Sequence, residues 1–415
     1  MKNKKLKEIL MQVKKDISIN EKKQKEIKEK IDNFTKLLKK QKIDFFIGGS
    51  VAKNTTIKKD KYDVDIFFRF KDEKDIEKKF EKIIKKIKNG LKTEKIHGSR
   101  DYYNIYDKDI IFEIVPTLKL SKPEKARNST DLSYFHVAYV KNRIKKNKKI
   151  TDEIKLAKTF AFASYCYGAE SYISGFSGYA IELLIIYYKT FENFLKAIAK
   201  SKDKIIIDIK KYYKNKQDIL NNINESKLLS PIILVDPTFK QRNVTSALSN
   251  ETFEKFKYYC KKFLKSPSAD FFSREKMQIK RLNEIKKKKP IKIILTTGKQ
   301  EGAIAGAKLL KFYNFLAEKI LKYYEIKDKE FIYDNKKSAI CYFVLKKKNK
   351  ILIKGPPTNK IINAIAFKDK HKRTFVKNNV IYAEEKNKTS IKDIIKSSDK
   401  IMKEMGIKSV RVLSS

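Results

Sequence analysis

Cysteine, histidine and tryptophan are scarce in this sequence, whose 415 residues include three cysteines, three histidines and no tryptophan. Cys166, Cys260 and Cys341 lie far apart in the chain and form no Cys-x-x-Cys pair. Their spacing excludes a zinc ribbon and a disulfide framework, and it favours a reducing compartment. The few histidines cannot build a histidine-rich metal site without carboxylates. The missing tryptophan excludes no class of function.

Long apolar runs are also missing, since no run approaches the roughly 20 residues that a membrane-spanning helix needs. The N-terminal segment is lysine-rich and amphipathic, unlike a secretory signal. We therefore expect a cytoplasmic protein that has no membrane partner.

Negative charge is the minority sign, because 98 Lys and Arg residues face 49 Asp and Glu residues, which leaves a net charge of +49. This excess favours a polyanionic partner, nucleic acid first. The basic residues are mostly lysine, accompanied by much isoleucine and asparagine, and a biased genome composition produces the same pattern. The charge therefore supports a nucleic-acid partner without establishing it.

Residues 45–70 are the segment around which the chain is organised. A short apolar strand, FFI, precedes a glycine turn, GGS, and a second apolar strand carries Asp63 and Asp65. Because side chains alternate along a strand, these two carboxylates share one face. They repel each other unless a cation lies between them, and Mg²⁺ prefers carboxylates together with substrate phosphates. The segment therefore predicts a magnesium site.

A third carboxylate and the glycine turn extend the predicted site. Glu113 lies in the middle of another apolar strand, where an unpaired charge is costly to bury. Three carboxylates on adjacent strands suit a two-metal site that clamps the attacking and leaving oxygens. In the turn, the glycine backbone and the start of the following helix favour an anion, while Ser50 adds a hydroxyl and Lys53 a positive charge. This order of parts predicts phosphoryl transfer.

The rest of the pattern predicts a multidomain α+β protein. Residues 1–130 form an α/β catalytic head, with two helices before residue 42, Asn20 as a cap between them, and strands near 93–97 and 110–115. Residues 131–265 are mostly helical, and Arg242 stands where a further helix opens. Residues 266–415 mix strands and helices without an acid cluster, which predicts binding. In that region Tyr342 and Phe343 either fill a core or stack on bases.

Two sets of motifs resemble a known family. Gly49-Ser50 followed by Asp63-Val64-Asp65 resembles the signature of polymerase-β-like nucleotidyltransferases, with Glu113 at the position of the third carboxylate. The middle third is similar to archaeal, class I CCA-adding enzymes in YGAE at 167–170, GFSGY at 175–179 with ELL at 182–184, and VDP at 235–237 with RNV at 242–244. The likeness covers about residues 40–275. It implies a polymerase-β-like head, a helical neck that recognises the nucleotide, and an RNA-binding C-terminal body and tail.

The resemblance implies template-independent addition of C, C and A, from CTP and ATP, to the 3′ end of tRNA. Two Mg²⁺ ions would be the cofactors, held by Asp63, Asp65 and Glu113 as the catalytic carboxylates. The nucleotide-binding positions implied by the matching motifs are Ser50, Lys53, Ser133, His136, Lys158, Tyr167 and Arg242. Arg242 would help to read the edge of the base. Besides tRNA and nucleoside triphosphates, a homodimer partner is left open.

The chain departs from the family pattern at two of these positions. The family usually has Asp where this chain has Glu113, and Thr where it has Ser133. Glutamate reaches one methylene further and carries the same charge to the metal, and serine keeps the hydroxyl.

Two other functions stay open on the sequence. One is another template-independent nucleotidyltransferase, such as a poly(A) or 2′-5′ oligoadenylate synthetase, which would use the same carboxylates. The other is an RNA-binding protein with a degenerate site. Magnesium-dependent incorporation of nucleotides separates this last alternative from both enzymes.

Overall fold

A computed structural model describes residues 2–74, 76–88, 90–98 and 100–413 of the chain. It divides into two compact units, Met1–Met277 and Gln278–Ser415. The division into a head at 1–130, a neck at 131–265 and a C-terminal region at 266–415 stays a prediction.

The first unit contains two sheets and most of the helices. Its helices are α1 Lys2–Asp16, α2 Glu21–Lys40, α3 Gly49–Ala52, α4 Ile76–Ile87, α5 Ser133–Lys146, α6 Ile150–Ala163, α7 Gly178–Tyr188, α8 Phe191–Lys200, α9 Lys216–Asn222 and α10 Asn250–Lys265. Its strands are β1 Phe45–Ile47, β2 Tyr62–Phe70, β3 Lys92–Ile96, β4 Tyr102–Asp107, β5 Ile110–Leu118, β6 Ile205–Asp208, β7 Ile232–Asp236 and β8 Phe239–Asn243. Helix α11, Arg274–Lys286, crosses the boundary between the units.

The head is a five-stranded sheet with the strand order β1-β2-β5-β4-β3, in which β2 and β5 run parallel and the other neighbours run antiparallel. Val64, Ile66 and Phe68 alternate along β2 and are fully buried, as the period of a half-buried strand requires. Helices α2 and α4 cover this apolar face, where Phe34 stacks on Phe112 at 4.3 Å between ring centroids. The intervening residues of β2, including both aspartates, therefore lie on the opposite face.

The helical neck has its own core, formed mainly by α6, α7, α8 and α10. Leu6 and Val13 of α1, and Ile17 directly after it, belong to this core and not to that of the head. Helix α2 then enters the head, and Asn20 caps it by accepting a hydrogen bond from the backbone N–H of Lys23, as predicted. The N-terminal segment thus contributes to both cores of the first unit.

Arg242 lies on strand β8, so the prediction that it opens a helix is wrong. Strand β8 pairs antiparallel with β7, which ends in the buried Asp236. The next helix begins only after Ser249, whose side chain accepts a hydrogen bond from the backbone N–H of Thr252. The nearby cap, and not the arginine, marks the start of α10.

The second unit is α+β. Its elements are β9 Ile291–Thr297, α12 Gly302–Tyr323, β10 Tyr324–Tyr333, β11 Ser338–Lys347, β12 Lys350–Pro357, α13 Ile361–Lys370, β13 Thr374–Lys377, β14 Val380–Lys386, α14 Ile391–Lys396, α15 Asp399–Glu404 and β15 Ile407–Leu413. They form a four-stranded sheet, β10-β11-β9-β15, and a three-stranded sheet, β12-β14-β13. Tyr342 and Phe343 are buried, and Phe343 belongs to the core under α12, so they fill the interior. None of the helices described is both long enough and apolar enough to cross a membrane.

Candidate active site

The predicted carboxylates lie on the face of the head sheet that α2 and α4 leave uncovered. In the parallel register of β2 and β5, Asp65 stands directly beside Glu113. Asp63 lies two residues earlier on the same face, and its Oδ2 is 3.6 Å from the Nζ of Lys59. Strand pairing therefore brings together two carboxylates that are 48 residues apart in the chain.

Asp65 and Glu113 are buried like charges that nearby lysines compensate only in part. Burial raises the pKa of Glu113 to about 8, and repulsion from Asp65 and Asp63 adds to the effect. Burial also raises the pKa of Asp65, with repulsion from Asp63 opposed by the attraction of Lys53. Each carboxylate thus disfavours the ionised form of its neighbour.

The donor set suits a divalent cation in chemistry, because carboxylate oxygens are the ligands that Mg²⁺ takes in proteins. A cation beside Asp65 and Glu113 would relieve their repulsion. Within the described ranges, however, no three His, Cys, Asp or Glu side chains come close enough together to hold one metal ion between them. Asp63 faces Lys59, and the three-carboxylate metal site stays a prediction.

The glycine turn lies against the same carboxylates. Gly49 has a φ of +59°, and a Cβ built on it would overlap the carboxylate of Asp65. Only glycine combines that backbone conformation with so close an approach. Ser50 follows in the four-residue helix α3, and its Oγ accepts a hydrogen bond from Thr56 Oγ1 at 3.1 Å. The glycine turn therefore packs directly against the carboxylate of Asp65.

We expect Gly49→Ala to lower nucleotide incorporation by about 100-fold, since a displacement of about 1 Å in catalytic geometry has effects of that size. The added methyl group must push Asp65 aside. Gly90→Ala is the matched control, because Gly90 also has a positive φ, +75°, but its Cβ would meet nothing within 4 Å. Both variants should lose about 1–2 kcal/mol of stability from the backbone conformation alone. Equal activities of the two variants would contradict the assigned role of Gly49.

The two lysines predicted to bind the nucleotide, Lys53 and Lys158, are both paired with one buried glutamate. Lys53 Nζ donates to Glu182 Oε2 at 2.7 Å, and Lys158 Nζ donates to Glu182 Oε1 at 2.7 Å and to Thr55 Oγ1 at 2.9 Å. Burial alone would raise the pKa of Glu182, but the attraction of Lys158 and Lys53 outweighs it and lowers the pKa to about 2. Glu182, on α7, thus connects the glycine turn of the head through Lys53 and helix α6 of the neck through Lys158.

A small cavity opens beside this triad. Its walls include four of the predicted site residues, which are Ser50, Asp63, Lys158 and Tyr167. Lys59 also lines it and lies 5.9 Å from the centroid of the Tyr167 ring. The cavity therefore joins the glycine turn, the acid strand and the neck helices, and its cationic and hydroxyl groups suit a phosphate-bearing ligand.

His136 and Arg242 form a second cluster around the buried Asp236. Its carboxylate accepts from His136 Nε2 at 2.9 Å, Arg242 Nη1 at 2.7 Å, Tyr179 Oη at 3.1 Å and the backbone N–H of Thr238 at 2.8 Å. Burial opposes ionisation, but His136 and Arg242 hold the pKa of Asp236 well below its usual value. Burial also lowers the pKa of His136, although the hydrogen bond to Asp236 and its charge oppose this shift.

Ser133 begins helix α5, three residues before His136. Residues three apart lie on one face of a helix, so Ser133 and His136 share a face. Among the predicted nucleotide-binding residues, the structure thus forms two groups, one at the cavity and one at Asp236. Lys53 links them electrostatically, since its charge acts on both Asp65 and His136.

Sequence reasoning did not single out Glu182 or Asp236 as site residues. A signal existed for the first, because Glu182 is the one charged residue in the helix GYAIELLIIYY. A charge in such a helix must be paired if it is buried. Asp236 ends a wholly buried strand, IILVD. A charge at the end of such an apolar run also indicates a paired residue.

Comparisons with known proteins agree with this architecture. Residues 152–273 match the family model described as "tRNA nucleotidyltransferase, second domain", and residues 4–150 match the "Second Messenger Oligonucleotide or Dinucleotide Synthetase domain". Among solved structures, a cytoplasmic RNA terminal U-transferase is similar with a TM-score of 0.50 and 14% identity over 66% of this chain and 98% of that chain. This likeness confirms the predicted fold, a multidomain α+β protein.

Curated relatives are named CCA-adding enzymes. The one from Nanoarchaeum equitans is 42% identical over 213 residues, which are 51% of this chain and 52% of the relative. The one from Methanocaldococcus jannaschii is 34% identical over 295 residues, 68% of this chain and 63% of the relative. The predicted resemblance to archaeal CCA-adding enzymes is confirmed over these regions, and the matches span about half to two thirds of the relatives' length.

Proposed function

We propose that this protein, similar over half its length to archaeal CCA-adding enzymes, adds C, C and A from CTP and ATP to the 3′ end of tRNA. The observation that carries the proposal is the adjacency of the paired Asp65 and Glu113 to a neck that matches the second domain of tRNA nucleotidyltransferases. The RNA 3′-hydroxyl would attack the α-phosphate of the bound triphosphate and release pyrophosphate. The enzyme would work where its tRNA is, in the cytoplasm.

The proposed roles of the side chains follow from where they lie. Asp63, Asp65 and Glu113 would hold Mg²⁺, which when bound stabilises the attacking and leaving oxygens. Ser50, Lys158 and Tyr167, at the cavity, would bind the triphosphate, and Lys53 would support it from behind the glycine turn. These contacts would fix the α-phosphate against the carboxylates, so that the chain supplies orientation as well as charge.

The Asp236 cluster would recognise the base. Arg242 uses Nη1 for Asp236, and its guanidinium has further N–H donors that would read a base edge. Asp236 holds Arg242 and His136 in place, and His136 stacks on Tyr179 at 4.1 Å between ring centroids. Such fixed donors would select C and A without a template.

Binding of tRNA would be mainly electrostatic. The net charge of +49 favours contacts with phosphates and 2′-hydroxyls of an A-form stem, contacts that do not depend on sequence. Affinity for tRNA should therefore fall steeply as salt rises.

The proposal is tested by incubating the protein and magnesium with labelled CTP or ATP and a tRNA transcript. The transcripts end at the discriminator base, at C or at CC. Two C additions, then one A, and a stop are expected. Untemplated runs of A would replace the proposal with a poly(A) polymerase. If no nucleotide is incorporated while tRNA still binds in a salt-sensitive way, the result would replace the proposal with a non-catalytic RNA-binding protein.

A second candidate function rests on the match of residues 4–150 to an oligonucleotide or dinucleotide synthetase domain. The same carboxylates would then join nucleotides to each other and not to tRNA. Incubation with ATP and CTP in the absence of any RNA distinguishes the two, since only a synthetase forms a dinucleotide or oligonucleotide under those conditions.

A further inference from the structure

We infer that Asn104 is a positioning residue that holds the side chain of Glu113 toward Asp65. This inference rests on the proposed function, because it concerns the carboxylates that would hold the metal. Asn104 lies on β4, which pairs antiparallel with β5, and it is the register partner of Glu113. Glu113 is in turn the register partner of Asp65 on β2. The three side chains therefore form one row across adjacent strands, on one face of the sheet.

The Asn104 carboxamide is unusual in its hydrogen bonding. Its Oδ1 is buried and, of the buried side-chain nitrogen and oxygen atoms in the described residues, it alone has no hydrogen-bond partner. Buried polar atoms are nearly always paired, so an orphaned acceptor marks either strain or a function. Directly opposite residues of an antiparallel pair have Cβ atoms about 5 Å apart, which places Glu113 within reach of the amide.

The other neighbours of Asn104 lie on the side away from Glu113. Tyr106, two residues along the same face of β4, donates its hydroxyl to Glu94 Oε2 at 2.6 Å, and the Asn104 side chain opposes the rise in the pKa of that hydroxyl. Glu94 is the register partner of Asn104 on β3. The amide thus lies between the Tyr106–Glu94 pair on one side and the catalytic carboxylates on the other.

Glu113 needs such an anchor more than an aspartate would. Glutamate has one more rotatable bond than aspartate, so its carboxylate samples more positions and loses more freedom when it is fixed. A carboxamide carries N–H donors as well as an acceptor oxygen, and it is an N–H that can hold an ionised carboxylate, which only accepts hydrogen bonds. Partners that orient metal-binding carboxylates in this way typically change metal affinity by about 10–100-fold when they are removed.

The test measures binding of Mn²⁺, as a probe for the divalent cation, by calorimetry with the full chain in the absence of tRNA and nucleotide. We expect Asn104→Leu to weaken Mn²⁺ binding by about 10–100-fold. The same change should leave the melting temperature unchanged or higher, because it removes a buried acceptor that lacks a partner. Asn283→Leu, at an exposed position of α11, is the matched control and should change neither quantity.

A second comparison asks whether Asn104 acts through Glu113. In a protein that already carries E113D, Asn104→Leu should lower the affinity for Mn²⁺ by less than about 3-fold. The shorter aspartate side chain has less freedom, so it needs less positioning by the amide. Equal losses in both backgrounds, an unchanged affinity in Asn104→Leu, or a wild-type protein that binds no Mn²⁺ would each overturn the inference. Since the readout is metal binding, a failure to extend tRNA would remove the proposed function and leave this test intact.

Discussion

Glu182→Leu is expected to destabilise the first unit by about 3–5 kcal/mol, the cost of removing one partner from a buried ion pair. Glu182 is fully buried, and the side chains of Lys53 and Lys158 are 8% and 2% exposed. Without the carboxylate, two ammonium groups would remain in the interior and lose the partner that they share, although Lys158 would keep its hydrogen bond to Thr55. The midpoint of urea unfolding, followed by circular dichroism, measures the loss.

Two further variants separate charge from packing. The triple change Lys53→Met, Lys158→Met and Glu182→Leu should recover most of the stability, since apolar side chains can replace a buried ionic group at little cost. It should nevertheless abolish nucleotide incorporation, because both proposed phosphate-binding lysines are gone. Glu192→Ala, which removes a partly exposed pair with Lys196, is the control and should cost about 0–1 kcal/mol. A Glu182→Leu variant as stable as this control would refute the pairing.

The pH dependence of stability offers an independent readout of the same triad. The folded-state pKa of Glu182 is about 2, below its ordinary value of 4.5. Its contribution is therefore fully present above pH 4.5 and is lost as the pH falls toward 2. The triple variant, which lacks this carboxylate, should show a smaller loss of stability between pH 4.5 and 2 than the wild-type protein.

The acid-bearing strands could be predicted because their signal is local. Alternation of apolar and charged residues places Asp63 and Asp65 on one face of β2 whatever the rest of the fold does. The glycine turn is equally local, since a positive φ at Gly49 selects glycine. Both predictions agree with the structure for that reason.

The partners of these groups could not be predicted in the same way, because they depend on register and on long-range packing. Strand β4 was not predicted at all, although its aromatic residues are typical of a strand. Because the strand was missed, the position of Asn104 on it could not be predicted either. Only the pairing of β4 with β5 shows that Asn104 faces Glu113. Likewise, nothing in the sequence near Lys53 indicates Glu182, 129 residues later, and nothing near His136 indicates Asp236, 100 residues later.

Asp65→Asn is expected to abolish nucleotide addition while leaving tRNA binding unchanged. Loss of one metal-binding carboxylate removes several kcal/mol of transition-state stabilisation, and at about 1.4 kcal/mol per tenfold this is a loss of roughly 10³-fold or more. Asparagine keeps the shape of the side chain, so the close contact with Gly49 is preserved. Single-turnover incorporation of CTP measures the rate, and filter binding of tRNA at fixed salt measures the affinity.

The matched control is Asp72→Asn, the same change of charge at an exposed position of the head, where Asp72 Oδ1 lies 4.0 Å from the Nζ of Lys79. Because tRNA binding depends on the overall charge, both variants should bind tRNA alike, and only Asp65→Asn should lose activity. Asp65 also raises the pKa of Glu113 by repulsion, so its neutralisation makes Glu113 easier to ionise. A loss of activity would therefore not come from any added protonation of Glu113, whereas wild-type turnover in Asp65→Asn would exclude Asp65 from the reaction.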